Sequence, residues 1–423
     1  MVVSRTGDRL PALHESWLPK EHPLHRPRHG RRQRTALVCA LVFLTLPITT
    51  WLLGARPEQL ENRPPAPAPD RLGELGPWAA EHLPFRGAAV RAVNAISEGV
   101  FGEPAPLDSG PPRSPVGSGS DQRPPPQPDE NAFPRVIEGD AGWLYLGHDV
   151  AYPCTPRRDL GRVIAGLQRW RQVVEASGRR FELVIAPDKS TAEPANLPDH
   201  YAGQECAGRA RREFWHRLPP ATGAIDLRGP LREAAERAGH PVYHDIDTHW
   251  THEGGLAMVR QLAERIEPGV SRTWAVRPSR SYPHTADIPD LLGQQRTVPI
   301  QAYALAPDGG PEDAAQFRAS DFHQPLRLTA APRAGMVQRP TRLVGDSFSQ
   351  FASPYLAATF TDVAIAHPEE VPRRPDEMGA FLAEGQVVAF ELSERFVSGG
   401  RYDLLDPAVA DRVGAVLAAH PPR

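Results

Sequence analysis

The 423-residue chain has little net charge, few cysteines and no internal repeat. Its formal net charge of -3 and pI of about 6.6 argue against nucleic acid as a partner, because binding a phosphate backbone needs a concentrated basic surface. No segment recurs with a period of 20 to 50 residues, which excludes solenoid and propeller arrays. Hydrophobic residues make up 40% of the chain, so its length allows one large domain or two smaller ones.

Long uncharged hydrophobic runs are scarce, and only residues 35–54, TALVCALVFLTLPITTWLLG, form a run of membrane length. These 20 residues are about enough to cross roughly 30 Å of hydrocarbon. Five arginines lie within the ten residues just before the run: Arg26, Arg28, Arg31, Arg32 and Arg34. We predict an uncleaved transmembrane anchor, with a basic tail, 1–34, in the cytoplasm and the remainder in the periplasm or at the cell surface. A cleaved signal peptide and a buried helix are the alternatives.

Cysteine is rare, with three residues in the chain. Cys39 lies in the predicted anchor, which leaves Cys154 and Cys206 as the pair in the rest of the chain. In an oxidising compartment these two could form one disulfide, and two free buried thiols are the alternative.

The chain after the anchor divides by composition into three parts. Residues 55–101 contain an amphipathic stretch that predicts a helix packed on the main domain or near the membrane, with Val90, Val93, Ile96 and Val100 at helical spacing. Residues 102–134 are rich in proline, glycine, serine and charge, which predicts a flexible or polyproline-like linker. Residues 135–423 alternate between strand and helix patterns.

This alternation predicts an α/β fold with a mostly parallel sheet and helices on both faces. The strand patterns are a hairpin in VIEGDAGWLYLG and single strands in FELVIAP, HPVYHDID, TRLVGDSF, DVAIAH and VVAFE. The clearest helical patterns are RVIAGLQRWRQVVEASG and LAMVRQLAERI. In such sheets, reactive groups gather at the carboxyl ends of the strands.

A serine follows one of these strands in Gly345-Asp346-Ser347. A serine at the end of a buried strand, after a glycine that permits a sharp turn, suits an exposed nucleophile at a strand-to-helix bend. The alternative is that Ser347 caps the following helix.

A histidine-rich stretch, YHDIDTHWTH, could supply the base for that serine. Its strand-like pattern ends near Asp247, so that Asp247 and His249 share one loop at the edge of the sheet. There the carboxylate can accept the imidazole proton and fix the tautomer. We predict that His244 and His252 are bystanders, because zinc needs three or four convergent ligands. No metal or cofactor is expected.

The motif D-x-H-W at 247–250, followed by the later G-D-S, resembles the alginate O-acetyltransferase group of AlgJ and AlgX, of DHHW type, in the SGNH hydrolase superfamily. Further matching pieces occur in the same order: ENR at 61–63, PFR at 84–86, FG at 101–102, GWLYLG at 142–147, APDKST at 186–191 and SER at 393–395. The resemblance implies a three-layer α/β/α sandwich. It also implies that Ser347 is the nucleophile, His249 the general base and Asp247 its orienting partner.

The resemblance further implies a polysaccharide O-acetyltransferase outside the cytoplasm, working through an acetyl-serine intermediate. Its acetyl donor would be a membrane-bound O-acyltransferase (MBOAT), and its acceptor a polysaccharide. A carbohydrate acetylesterase with the same triad and a non-catalytic glycan-binding or assembly protein are the alternatives. One departure from the family pattern is Glu193, which stands where a tyrosine is common.

Four other residues are candidates for contacting substrate, each with a structural alternative. Lys189 could line the site or solvate a turn, and Trp250 could stack on a sugar or pack beneath the loop. Asp346 could modulate the serine or bind nearby backbone N–H groups. Arg395 could bind substrate or form a structural ion pair.

Overall fold

The computed structural model describes residues 31–53, 78, 82, 85–101, 105, 130–310 and 321–422. The predicted cytoplasmic tail and proline-rich linker lie almost wholly outside these residues. The chain falls into two compact units that meet in sequence at Ala88 and Ala89.

In the described part of the chain before the sheet domain, two helices have defined bounds, α1 (Arg31–Leu52) and α2 (Arg86–Phe101). Among the described residues, no helix combines the length and the apolar character needed to cross a membrane. Helix α2 forms where the apolar spacing predicts it. Its Val93, Ile96 and Val100 side chains are exposed, whereas Asn94 is buried, and the placement of this helix on the main domain or near the membrane stays a prediction.

The sheet domain begins at the predicted hairpin and alternates strands with helices to the end of the described chain. Its elements are β1 (Val136–Glu138), β2 (Leu144–Leu146), α3 (His148–Cys154), α4 (Leu160–Ala176), β3 (Arg180–Ala186), α5 (Lys189–Ala192), α6 (Gln204–Thr222), β4 (Ile225–Asp226), α7 (Arg228–Ala238), α8 (His252–Ile266), β5 (Ala275–Thr285), α9 (Ile288–Leu291), β6 (Thr297–Ala306), β7 (Leu326–Thr329), β8 (Thr341–Gly345), α10 (Ser349–Thr359), β9 (Asp362–Ala366), α11 (Glu370–Arg373), α12 (Pro375–Ala383), β10 (Val387–Ser393), α13 (Glu394–Ser398) and α14 (Pro407–Ala419).

The central sheet has six strands in the order β4-β3-β10-β8-β9-β7, and all are parallel except β7 at one edge. The prediction of a mostly parallel sheet is therefore confirmed. In β10, Ser393 pairs with Ala186 of β3, and Glu391 pairs with Gly345 of β8. This register brings the carboxyl ends of the three strands to one edge, where the segments that follow them meet.

Helices cover both faces of the sheet, because alternate strand residues point to opposite sides. Val184, Leu343 and Ala389 join a core with residues of α8 and α10 on one face. Leu183 and Phe390 join a second core with residues of α4 and α14 on the other. Each large apolar side chain buried in these cores contributes roughly 1.5–3 kcal/mol to folding.

The segment predicted as a strand in HPVYHDID is a loop, so that prediction is wrong. Its one ladder contact is an isolated bridge between Tyr243 and Trp250. The backbone carbonyls of His244, Asp245 and Asp247 instead accept hydrogen bonds from the Lys189 ammonium, and that of Asp245 also accepts the Leu144 N–H at 2.8 Å.

A long antiparallel hairpin, β5 and β6, follows α8 and was not predicted. The side chains of β5 are mostly exposed and polar or proline, so the segment lacks the apolar run that marks a buried strand. A register irregularity between Pro278 and Ser281 interrupts the pairing. The carboxyl end of β5 reaches the sheet edge that carries the candidate site.

Candidate active site

Ser347 lies at the bend between β8 and α10. Gly345 ends the strand, and a side chain there would overlap the Ser349 hydroxyl, so the bend requires glycine. Phe348 occupies the N-cap position of α10, and its N–H donates to Asp346 Oδ1 at 3.1 Å. Ser347 therefore does not cap the helix, and this geometry favours the nucleophile alternative.

His249 and Asp247 face Ser347 from the loop that precedes α8. The Ser347 hydroxyl lies 2.8 Å from His249 Nε2, and His249 Nδ1 lies 2.8 Å from Asp247 Oδ1. Asp247 Oδ1 also accepts the His249 backbone N–H at 2.9 Å. Asp247 and His249 are buried, whereas Ser347 is partly exposed. The structure thus brings the three residues into one chain of hydrogen bonds, with the serine at its accessible end.

Lys189 holds the loop that carries Asp247 and His249. Its Nζ lies 3.1 Å from the His244 carbonyl oxygen, 3.1 Å from that of Asp245 and 2.8 Å from that of Asp247. Burial lowers the pKa of Lys189 to about 8, against the opposing charge of Asp247. The buried ammonium is fully used by the protein, so Lys189 positions the loop and neither lines an open site nor solvates a turn.

Asp247 is shared by a second histidine, His284, which the sequence pattern did not indicate. Asp247 Oδ2 lies 3.1 Å from His284 Nε2 and accepts the Asp287 backbone N–H at 3.1 Å. Asp287 Oδ1 in turn accepts the Thr248 N–H at 2.8 Å. These bonds occupy the carboxylate oxygen that does not face His249, so they fix the orientation of Asp247 from the side of β5.

The pKa shifts of His249 and Asp247 favour proton transfer from Ser347 to His249. Burial alone would lower the pKa of His249, but the hydrogen bond and charge of Asp247 outweigh it and raise the pKa above its usual value. Burial alone would raise the pKa of Asp247, but hydrogen bonds and charge from His249 and His284 hold it well below its usual range. An ionised carboxylate therefore lies beside an imidazole with increased proton affinity, as a general base requires.

We expect ester cleavage at this site to lose activity as the pH falls, because protonated His249 cannot accept the serine proton. Since the pKa of His249 is raised from 6.5, the acid limb of kcat/KM should have its inflection above pH 6.5. The Asp247→Asn variant should move this inflection to lower pH and reduce the plateau by about 10³- to 10⁴-fold. A pH profile that stays flat down to pH 5 would contradict a histidine base.

Asp346 and Trp250 fix the backbone around the triad. Asp346 Oδ2 accepts the Tyr402 hydroxyl at 2.7 Å and the Ser393 N–H at 3.1 Å, which ties the end of β8 to that of β10. Trp250 is fully buried, and its Nε1 donates to the Phe348 carbonyl at 3.0 Å. The polar groups of both residues are thus bonded inside the protein: Asp346 binds nearby backbone, and Trp250 packs beneath the loop.

Arg395 is buried beneath the site. Its Nη1 lies 3.0 Å from Asp188 Oδ1 and 3.9 Å from Asp149 Oδ1, and its guanidinium carbon lies 5.5 Å from the centre of the Phe348 ring. Arg395 therefore forms a structural ion pair with Asp188. Its side chain is almost fully buried and is not placed to bind a substrate.

His244 and His252 pack beside the triad without joining it. Their ring centres lie 5.7 Å and 5.5 Å from that of Phe351. Burial lowers the pKa of each to about 4, so both rings are neutral near pH 7. Within the described part of the chain, neither residue belongs to a group of closely spaced metal-type ligands.

Asp247, His249 and Asp287 do have ligand-type atoms within 4.8 Å of one another. The two ring nitrogens of His249, however, already contact Asp247 and Ser347. A metal ion would have to break the serine–histidine–aspartate chain, so this arrangement favours proton transfer over metal binding.

Cys154 and Cys206 form a disulfide that ties the end of α3 to the start of α6, with Cα atoms 5.7 Å apart. The bond closes a loop with a sequence separation of 52, which in the chain-entropy model stabilises the fold by about 4 kcal/mol.

Comparison with known proteins gives a match to the family described as "SGNH hydrolase-like domain, acetyltransferase AlgX" over residues 136–364. The probable alginate O-acetylase AlgJ of Pseudomonas fluorescens is 27% identical over 161 residues, which are 37% of this chain and 40% of that protein. The chain thus spans less than half the length of the curated relatives that it matches.

The similar solved structures include two from Pseudomonas, both at low identity. The O-acetyltransferase domain of Pseudomonas putida AlgJ is 18% identical, and the match covers 66% of this chain and 98% of that one, with a TM-score of 0.44. Pseudomonas aeruginosa AlgX is 14% identical, with 69% and 68% coverage and a TM-score of 0.46. The segment matched by the family model contains Asp247, His249 and Ser347.

Proposed function

The chain belongs to the family of SGNH hydrolase-like acetyltransferase AlgX domains, and from this premise we propose that it transfers acetyl groups to a polysaccharide outside the cytoplasm. The observation that carries the proposal is the hydrogen-bond chain from Ser347 through His249 to Asp247, with distances of 2.8 Å at both steps. Its accessible end is a hydroxyl that can form an ester.

In the first half-reaction, Ser347 Oγ attacks the carbonyl carbon of an acetyl ester while His249 Nε2 takes the hydroxyl proton. Asp247 stabilises the imidazolium that forms. The Ser347 N–H is one donor to the negative oxygen of the tetrahedral intermediate. The intermediate collapses as His249 returns its proton to the leaving alkoxide, which leaves acetyl on Ser347.

In the second half-reaction, a sugar hydroxyl attacks the acetyl-serine carbonyl and gives its proton to His249. Collapse of the second tetrahedral intermediate returns that proton to Ser347 Oγ and releases the acetylated sugar. The protein uses no cofactor in either step. Specificity for sugar over water depends on how well the site positions the acceptor, because both are hydroxyl nucleophiles.

Acetyl reaches this site from a membrane-bound O-acyltransferase partner, and residues 35–54 anchor the chain beside it. The 20 uncharged residues after five arginines support the anchor. The Cys154–Cys206 disulfide supports an oxidising compartment. In cell fractionation, the full chain should stay in the membrane pellet after alkaline carbonate washing, and a chain lacking residues 1–54 should not. Release of the full chain by carbonate would contradict anchoring.

The transferase and esterase alternatives differ in what receives acetyl from Ser347. The purified chain is incubated with a chromogenic acetyl ester, with and without an oligosaccharide series, and acetylated sugar is measured by mass spectrometry together with free acetate. A transferase should divert acetyl from water to one class of oligosaccharide. Fast hydrolysis with no acetylated sugar from any acceptor would favour the acetylesterase.

A further inference from the structure

Two histidines and a glutamate form a polar cluster outside the triad: His323, His367 and Glu369. Each offers a ligand-type atom within 4.8 Å of the others, and all three side chains are half-buried. His367 follows β9 at the carboxyl edge of the sheet, and His323 lies shortly before β7. The His367 backbone N–H donates to the Phe322 carbonyl at 2.9 Å, so the backbone already holds the two segments side by side.

The contacts around His323 are those of a metal-binding imidazole. His323 Nδ1 lies 2.8 Å from Glu370 Oε1, so a carboxylate fixes the ring and leaves Nε2 to act as a ligand. Most metal-ligating histidines donate their other ring N–H to a carboxylate, carbonyl or water in this way. The rings of His323 and His367 lie with their centres 4.5 Å apart.

Glu369 supplies an oxygen whose hydrogen-bonding capacity is not met. Its Oε2 is buried and has no hydrogen-bond partner among the described residues. This oxygen forms an ion pair with Arg373, whose Nη2 lies 3.3 Å away and whose side chain is half-exposed. The Glu369 carboxylate therefore lies beside two imidazoles with one of its oxygens not hydrogen-bonded.

We propose that His323, His367 and Glu369 bind one divalent transition-metal ion of the zinc class, with water at the fourth position. Two imidazoles and one carboxylate suit zinc rather than calcium or magnesium, which take oxygen ligands. Bonds of about 2.0–2.1 Å in a tetrahedron place ligand atoms about 3.4 Å apart, so side-chain rotations would close the cluster around the ion. The Arg373 side chain would move into solvent. The ion would link the segment before β7 to the residues that follow β9.

The test is zinc binding to the full chain, purified without a histidine tag and treated with a chelator. Calorimetry should give one equivalent of Zn²⁺ bound with a Kd in the micromolar range or tighter, and excess Zn²⁺ should raise Tm by several degrees. The absence of binding at 100 µM Zn²⁺, which is about 100-fold above a micromolar Kd, would overturn the proposal.

Single substitutions in the cluster test where the ion binds. His367→Gln and Glu369→Gln should each weaken binding at least tenfold and remove the rise in Tm, with unchanged circular dichroism. His323→Gln gives the same test from the other segment if either variant fails to fold. Arg373→Ala should tighten binding because it removes the competing cation. His249→Gln is the matched control, since it removes a histidine from the other group of ligand-type atoms. Zinc binding that survives in the cluster variants and disappears in His249→Gln would overturn the proposal.

Discussion

Replacing Ser347 with alanine is expected to abolish acetyl transfer, with a fall of about 10⁴-fold or more in kcat. The variant removes the atom that carries the acetyl group in the proposed mechanism, and it leaves the His249–Asp247 hydrogen bond of 2.8 Å in place. Because the serine is partly exposed and its oxygen is small, the free energy of unfolding should change by less than about 1 kcal/mol. Surface acetylation in cells and turnover of an acetyl ester are the two measurements.

Ser353→Ala is the matched control for this variant. Ser353 lies in the same helix, α10, is buried, and donates to the Gln350 carbonyl at 2.7 Å. Its loss should cost about 1 kcal/mol of stability and leave the turnover of folded protein unchanged. If the Ser347→Ala strain still acetylates its surface at the normal level, the non-catalytic alternative becomes the better interpretation.

The fold was predictable where the residues of a segment themselves show whether it is buried. Strands β3, β8 and β10 are buried on both faces, so each consists mainly of apolar residues, and an α/β fold follows from their alternation with helices. That this fold is SGNH-like was implied by the family resemblance. Strand β5 of the unpredicted hairpin is mostly solvent-exposed and polar, so it has no apolar pattern of this kind. The loop after Pro241 has the alternating polar and apolar residues of a strand. It is nevertheless a loop, and three of its carbonyls accept hydrogen bonds from Lys189.

The same distinction applies to the candidate site. Ser347 follows a buried strand, so its place at the sheet edge was predictable from the sequence. The prediction that Asp247 and His249 share that edge rested on a strand that is in fact a loop, and on the family resemblance. His284 and Asp287 reach Asp247 from 37 and 40 residues away. They occur in a segment without a recognisable pattern, so only the folded hairpin reveals that they hold the carboxylate.

Replacing Lys189 with methionine should impair both stability and catalysis. Methionine is similar in length but cannot donate to the carbonyls of His244, Asp245 and Asp247, which accept from Nζ within 3.1 Å. Removing the buried ammonium leaves these carbonyls without the Lys189 donor, which should lower the free energy of unfolding by about 3–5 kcal/mol. The loop would then relax and move the His249 ring relative to Ser347, and a shift of about 1 Å costs about 10²-fold in rate.

The control for Lys189→Met is another buried cation at the opposite end of the sheet. Arg342 is fully buried near the start of β8, and its guanidinium lies 3.3 Å from Asp362 and 3.1 Å from Glu384. Arg342→Met should also lower the midpoint of urea denaturation, because it removes the buried one of the two cations that pair with these carboxylates and leaves them only the exposed Arg327. It should not change kcat per folded molecule, since β8 separates it from the triad. Equal losses of kcat in both variants would mean that general destabilisation, and not the position of the His249 loop, explains the effect of Lys189→Met.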